Sequence, residues 1–322
     1  MSTSDLSKEK QLYQAVADGD LETVKTLASD EAVDINWAAA ERSDTPLHHA
    51  CRIGHLEIVK ELLAHPRIEV NKGNVINVTP LFLACEQGQA DVVRELLGDS
   101  RVELNPPNLE GYGLLHVSCA NLHLKVVSLL LADERIDPNG ATDEDITPLF
   151  LVSKRGYKEV VALLLTDRRV DPNKQAEEAT PLLAACDQGH REVVALLLAD
   201  SRVDPNLRND FGKNVVYIAA VHGHHEIMSL LLADPRININ QPSILNYTPL
   251  AIACNEGHQE VIDLLLADSR VDLTHESDFG GSPIDIANHA KRFPLARRIL
   301  KLREFLFLLL LCRHLGARHS RQ

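Results

Sequence analysis

The sequence predicts an all-α solenoid of stacked helix–turn–helix–hairpin repeats, about nine in number when degenerate ends are counted. Three observations carry that prediction. An eleven-residue phrase recurs at 129–139 (LLLADERIDPN), 163–173 (LLLTDRRVDPN), 196–206 (LLLADSRVDPN) and 230–240 (LLLADPRININ). The tripeptide Thr-Pro-Leu begins at Thr45, Thr79, Thr147, Thr180 and Thr248, and Gly113, Asn214 and Ser282 open degenerate versions, so successive intervals are 34, 34, 34, 33, 34, 34 and 34 residues. Aromatic residues make up only 4% of a chain that is 45% apolar, which suits leucine-rich helices better than a β-sandwich. A fixed period in the range of about 20–50 residues marks an architecture in which each repeat buries its apolar face against its neighbours.

Each repeat can be justified in chain order. Thr followed by Pro is an N-cap and the first helical residue, where the missing N–H of proline leaves no bond unmade. A short first helix follows, as in 181–188 (PLLAACDQ), and Gly189 stops it with a tight turn. The second helix, 190–199, lays Val193, Val194, Leu196, Leu197 and Leu198 along one apolar face, with Glu192 in the first turn where the helix dipole favours an acid. The three leucines are expected to seal one inter-repeat layer. The polar remainder then crosses to the next Thr. Two residues before the aligned position stand Ser43, Asn77, Gly111, Asp145, Glu178, Gly212, Asn246 and Gly280. Six of these eight are Gly, Asn or Asp, types that tolerate positive φ, so a hairpin turn is expected at each.

The count starts with a repeat over 12–36, keyed by Gly19, continues with seven between Thr45 and Thr274, and ends with one from Ser282. That last repeat has Lys291 where glycine is expected and Pro294 within its second helix, so it reads as a degenerate cap, with 305–311 folding back over its apolar face. The resulting boundaries are an N-terminal tail at 1–10, the repeat array at 11–302 and a basic, apolar tail at 303–322.

Helix, glycine turn, helix and hairpin on this period, with Thr45-Pro46-Leu47-His48-His49-Ala50 followed by Gly54-His55 and by Val59 to Leu63, resembles the ankyrin repeat over about residues 11–302. The resemblance implies two antiparallel helices per repeat with hairpins projecting sideways, and partners gripped by hairpin tips and first-helix faces. Two departures stand out. The usual GADVN after the second helix becomes a longer DxRVDPN turn, and most repeats have Phe82, Phe150, Leu183 or Ala251 in place of the histidine after Thr-Pro-Leu. A Thr–His hydrogen bond is therefore expected only at Thr45 and His48.

Several residues look like chemistry. Cys51, Cys85, Cys119, Cys186 and Cys254 share one repeat position late in the first helix, where a small apolar thiol serves packing. Neighbouring helices stand about 8–10 Å apart, too far for a disulfide; Cys312 lies off the pattern and is the more reactive candidate. His55, His123, His190, His224 and His258 share the start of the second helix, and the His222, His224, His225 cluster lacks the Cys or carboxylate ligands that zinc would want. Arg67, Arg101, Arg135, Arg169, Arg202, Arg236 and Arg270 form a ladder flanked by acids such as Asp133 and Asp137, read as an inter-repeat ion-pair network. Asn71, Asn139, Asn173, Asn206 and Asn240 close each phrase, with the expected role of bonding their own hairpin. By resemblance they are similar to sites that asparaginyl hydroxylases modify in ankyrin repeats. The chain carries no P-loop, GxGxxG, GxSxG or HExxH motif. It is expected to be non-catalytic, without metal or cofactor.

Net charge is −13, unevenly spread: residues 291–322 hold nine Lys/Arg and one acid, +8, leaving 24 basic and 45 acidic residues elsewhere, −21. An acidic body argues against nucleic acid, which demands a basic stripe. The start MSTSDLSKEKQ lacks a secretory pattern, no run approaches the roughly 20 apolar residues of a membrane span, and six unpaired cysteines suit a reducing compartment. The chain is read as a monomer of the cytoplasm or nucleus that binds a protein partner.

By position in the repeat, the expected partner-binding residues fall in three sets. The residue before each capping position gives Tyr112, Ile146, Lys213 and Tyr247. The first-helix ends give Glu86, Asn121, Lys154, Arg155, Asp187, His222 and Glu256. The hairpin tips give Trp37, Ile76, Phe211 and Leu245, together with Val75, Ile244 and Phe279, all apolar for turns. The alternative expectation is a regulatory or targeting subunit whose tail, with Arg297, Arg298, Lys301, Arg303 and Arg313 among leucines, meets a membrane surface or recruits an enzyme.

Overall fold

The structure is a computed structural model that describes residues 6–104, 111–278 and 280–305. Its helices fall into two compact units that part between Glu177 and Glu178. The first unit contains α1 (Lys8–Asp18), α2 (Leu21–Ala28), α3 (Pro46–Ile53), α4 (Leu56–Ala64), α5 (Pro80–Glu86), α6 (Ala90–Gly98), α7 (Leu114–Ala120), α8 (Leu124–Ala132), α9 (Pro148–Arg155) and α10 (Lys158–Thr166). The second contains α11 (Pro181–Asp187), α12 (Arg191–Ala199), α13 (Val215–His222), α14 (His225–Ala233), α15 (Pro249–Glu256), α16 (Gln259–Ala267) and α17 (Pro283–His289), and residues 293–305 are helical as well. Within each unit, the two helices of a repeat pack on each other. First helices also stack on first helices and second on second, giving two layers of an all-α repeat solenoid. Among the described residues there is no strand, only isolated bridge residues within hairpins, as at Ser277 and Gly281.

The capping chemistry is as the sequence predicts. Thr45, Thr79, Thr147, Thr180 and Thr248 each accept the N–H three residues on, with Pro at the first helical position; Asn214 caps α13 in the same way. An N-cap of this kind stabilises a helix by about 1 kcal/mol. The turn into the second helix takes positive φ at Gly54, Gly88, Gly156, Gly189, Gly223 and Gly257. Leu122 and Lys291 adopt the same left-handed geometry without glycine, at φ 61° and 59°. Gly88 serves a second purpose, because a Cβ there would stand 2.5 Å from Nδ1 of His123 in the next repeat. Pro294 falls in the first turn of the helix at 293–305, not in its interior, so it is compatible with that helix.

Core burial follows an i, i+1, i+4 stripe on the second helices after α2: Val126, Val127 and Leu130; Val160, Val161 and Leu164; Val193, Val194 and Leu197; Ile227, Met228 and Leu231. Only the middle leucine of each Leu-Leu-Leu run is fully buried. Its two neighbours are half-buried at the helix shoulders, which corrects the expectation that all three seal the layer. Full burial of one such side chain contributes about 1.5–3 kcal/mol.

Polar contacts tie successive repeats together and revise two further expectations. The closing asparagine reaches the next repeat and not its own hairpin. The carboxamide N–H of Asn36, Asn71, Asn139, Asn206 and Asn240 donates to the carbonyl of Arg67, Arg101, Arg169, Arg236 and Arg270, at 2.6–2.8 Å. Its Oδ1 accepts from the N–H of Glu69, Glu103, Asp171, Asn238 and Asp272, at 2.7–2.9 Å. The arginine ladder is not an inter-repeat ion-pair chain either. Apart from Arg67, which follows His65, each guanidinium forks onto the aspartate two residues earlier, at 2.5–2.7 Å. Across repeats Arg101, Arg135, Arg169, Arg236 and Arg270 bond the carbonyls of Leu63, Leu97, Leu131, Leu198 and Leu232, at 2.6–2.8 Å. A carbonyl near a helix C-terminus is otherwise an unfilled acceptor, so the DxR turn supplies what the missing Gly-Ala-Asp turn does not.

Candidate interaction surface

The hairpins are closed by a short chain of bonds that determines which residues project. Asn74 N–H donates to the Val78 carbonyl at 3.0 Å, Thr142 to Ile146 at 3.0 Å, Asn209 to Lys213 at 3.0 Å, and Ser243 to Tyr247 at 3.0 Å. The side-chain oxygen of Asn74, Thr142 and Asn209 also accepts the N–H groups two and four residues on. Positive φ at Ser43, Asn77, Gly111, Asp145, Glu178, Gly212 and Asn246 turns the chain as expected; in the last hairpin the turn falls on Gly281, one residue later than Gly280.

This geometry separates the expected tip residues from those just before the cap. In the first unit Val75 and Ile76 are 59% and 50% exposed. In the second, Phe211, Ile244 and Leu245 are 52%, 62% and 51% exposed, and Ile244 N–H donates to the Phe211 carbonyl at 3.1 Å, joining two consecutive tips. The residue before the cap points inward. Ile146 is only 7% exposed and belongs to the core, so it drops out of the exposed set; its carbonyl accepts from His116 at 2.8 Å. Tyr112, Lys213 and Tyr247 are half-buried. Tyr112 packs edge-on against His116, ring centroids 5.8 Å apart, and the Lys213 ammonium sits 5.6 Å above both the Phe211 and the Tyr217 rings.

Trp37 is also not a projecting tip. Its ring lies half-buried and perpendicular to Tyr13, at 6.0 Å, while Tyr13 bonds His49 Nδ1 at 3.3 Å. The Tyr13–Trp37–His49 cluster escaped the sequence reading, because it joins residues from three separate segments whose only shared signal is aromaticity. Of the first-helix ends, Asn121, Lys154, Arg155, Asp187, His222 and Glu256 are exposed and Glu86 is half-exposed. Lys154 pairs with Glu177, and His222 Nε2 lies 3.0 Å from Asp187. Phe279, Cys312 and Arg313 lie outside the described residues, as does the stretch after Phe305 expected to fold back.

Reactive chemistry is muted at the cysteine ladder. All five are buried, and burial pushes the Cys85 and Cys254 thiols up to about 12 and raises the others as well, so they remain protonated packing groups. No group of three or more metal-ligating side chains occurs among the described residues. His222 and His224 stack at 5.6 Å and both meet Asp187 of the preceding repeat, His222 Nε2 at its carboxylate (3.0 Å) and His224 Nε2 at its carbonyl (3.3 Å), so one carboxylate that the sequence did not place beside the cluster does join it. His123 and His258 instead bond the Glu86 and Val221 carbonyls of the preceding repeat, at 2.9 and 2.8 Å. The buried histidines are structural too. His48 Nδ1 faces the N–H and Oγ1 of Thr45, at 3.1 and 2.8 Å, and its Nε2 bonds the Val78 carbonyl at 2.9 Å. His116 repeats this arrangement on the N–H of Gly113, at 3.2 Å, a pair that the degenerate cap concealed in the sequence. Burial lowers the pKa of both rings.

A family model described as ankyrin repeats (3 copies) matches residues 12–108, 74–142, 115–209 and 182–277. No curated protein matches the chain. No helix among the described residues is long and apolar enough to cross a membrane.

Proposed function

Because the chain belongs to the ankyrin-repeat family, whose repeats generally mediate protein–protein interaction, we propose that it is a non-catalytic scaffold that grips a protein partner with its hairpin tips and first-helix faces. One observation carries the reading. Phe211, Ile244 and Leu245 put three large apolar side chains into solvent on adjoining hairpins, held there by closed turns and a main-chain bond, not by a flexible loop. Half exposed as they stand, each would contribute about 1 kcal/mol or somewhat more when buried in a partner. Exposed first-helix ends add polar groups of mixed sign, Asp187, His222 and Glu256 in the second unit and Asn121, Lys154 and Arg155 in the first. A rigid apolar centre with a polar surround is the usual anatomy of a recognition surface.

The test compares wild type with Phe211→Ser/Ile244→Ser/Leu245→Ser. Both should melt within a few degrees of each other, since the three side chains do not belong to the core. Quantitative affinity purification from native lysate should then show a set of proteins enriched by wild type and lost with the variant. Identical proteins recovered at unchanged abundance would remove the tips from the function.

A further inference from the structure

Residues 293–305 form a helix that buries one side only. Leu295, Ala296 and Ile299 are 7%, 4% and 0% exposed and hold it to the second unit. On the other side Phe293, Arg297, Lys301 and Phe305 recur at four-residue intervals, which aligns them as one ridge along the helix. All four are exposed, Phe293 at 56% and Phe305 at 59%, and Leu300 beside them is 44% exposed. Arg298 pairs with Asp263, but no described carboxylate pairs with Arg297 or Lys301. The sequence continues as an apolar run at 306–312 (LFLLLLC), followed by Arg313, Arg318 and Arg321. That run is too short to span a bilayer, which takes roughly 20 residues.

We propose that this ridge is a peripheral surface for anionic lipid. The phenylalanines and Leu300 enter the boundary between headgroups and acyl chains, and Arg297 and Lys301 lie on the lipid anions. Charge and apolar exposure together select this occupant. A merely solvated basic end explains the cations but not two phenylalanines in water. The same ridge on a second copy would set +8 against +8 over residues 291–322. An acidic protein surface would answer the cations but leave the exposed Phe293, Leu300 and Phe305 without a matching apolar phase.

The experiment uses the full chain, sedimented with phosphatidylcholine vesicles and with the same vesicles containing phosphatidylserine. Binding should require the anionic lipid and weaken as salt is raised. Arg297→Gln/Lys301→Gln should lower the partition coefficient roughly thirtyfold, from the contribution of each basic residue near a charged leaflet. Phe293→Ser/Phe305→Ser should weaken binding by a factor that salt leaves unchanged, because apolar transfer is not screened. Both variants keep the buried stripe, so wild-type circular dichroism is expected; if either unfolds, the lipid and salt dependence of the wild type still decides. Equal binding to neutral and anionic vesicles overturns the proposal, as does binding indifferent to both variants. A concentration-dependent dimer abolished by the phenylalanine changes would assign the ridge to a second copy. Capture by polyglutamate without vesicle binding would assign it to an acidic protein. Either of those results overturns the lipid assignment.

Discussion

Acid should unfold the first unit through two buried histidines. In His48 and His116, Nε2–H donates to a carbonyl while Nδ1 accepts a backbone N–H, so both rings are neutral and have no room for a second proton. They are 0% and 3% exposed. Burial is the main cause of the lowered pKa in each; for His48 the Val78 carbonyl and Asp44 oppose it, and Arg52 and Lys72 reinforce it. With the folded pKa below the unfolded one, the unfolded chain takes up protons first as pH falls. Stability is therefore complete above the unfolded value near 6.5 and drains away below it. At pH about 5.5 an unfolded histidine is some nine-tenths protonated, which bounds the loss at about 1.4 kcal/mol per ring and about 3 kcal/mol for the pair. The half-buried His49 shifts the same way and adds a smaller amount. Urea unfolding followed by circular dichroism, at pH 7.5 and 5.5, should show the wild type losing more stability than His48→Gln/His116→Gln, by up to about 3 kcal/mol. Parallel losses in the two proteins would refute the assignment of the acid sensitivity to these rings.

Other perturbations follow from single contacts, and thermal unfolding checks each of them. Gly88→Ala must hold φ at +73° and place a Cβ against His123, so a cost of at least about 1–2 kcal/mol is expected, whereas Leu122→Gly relieves a left-handed leucine and should stabilise by about 0.5–1 kcal/mol. Asn206→Ala removes both bonds to the next repeat and should cost about 1–3 kcal/mol, and Asn206→Asp, which keeps the acceptor but sets a carboxylate oxygen against the Arg236 carbonyl, should destabilise as well. Ser153 carries a buried hydroxyl without a partner at the position that five repeats fill with cysteine, so Ser153→Ala should be neutral or stabilising by up to about 1 kcal/mol. Arg169→Lys loses the fork on Asp167 together with carbonyl contacts on the neighbouring repeat, an expected loss of about 1–2 kcal/mol that salt alone should not reproduce.

Local chemistry was legible in the sequence because it is written in residue types with narrow backbone demands. Thr-Pro announces a capped helix start, and glycine or asparagine announces a left-handed turn; the structure honours both nearly everywhere. Where Leu122 and Lys291 take the glycine conformation, neighbouring packing overrides preference, something one side chain cannot declare in advance. Long-range polar partners were harder. Nothing in DPN says that its carboxamide looks thirty residues forward, or that the DxR guanidinium looks thirty-eight residues back to a leucine carbonyl. The candidate surface was legible only in part. Exposed tips such as Ile76 and Phe211 are odd enough as turn residues to be noticed, but Ile146, next to its cap, and Trp37, earlier in its hairpin, are drawn inward by packing.

The asparagine, arginine and histidine links all join like places in consecutive repeats, so their wiring is modular. Excising one whole period from inside a unit would hand every severed donor a substitute acceptor of the same kind, at the same offset, from the repeat beyond. Such a chain loses length without losing any category of contact. Growth or shrinkage by complete copies is thus the change this molecule absorbs most readily.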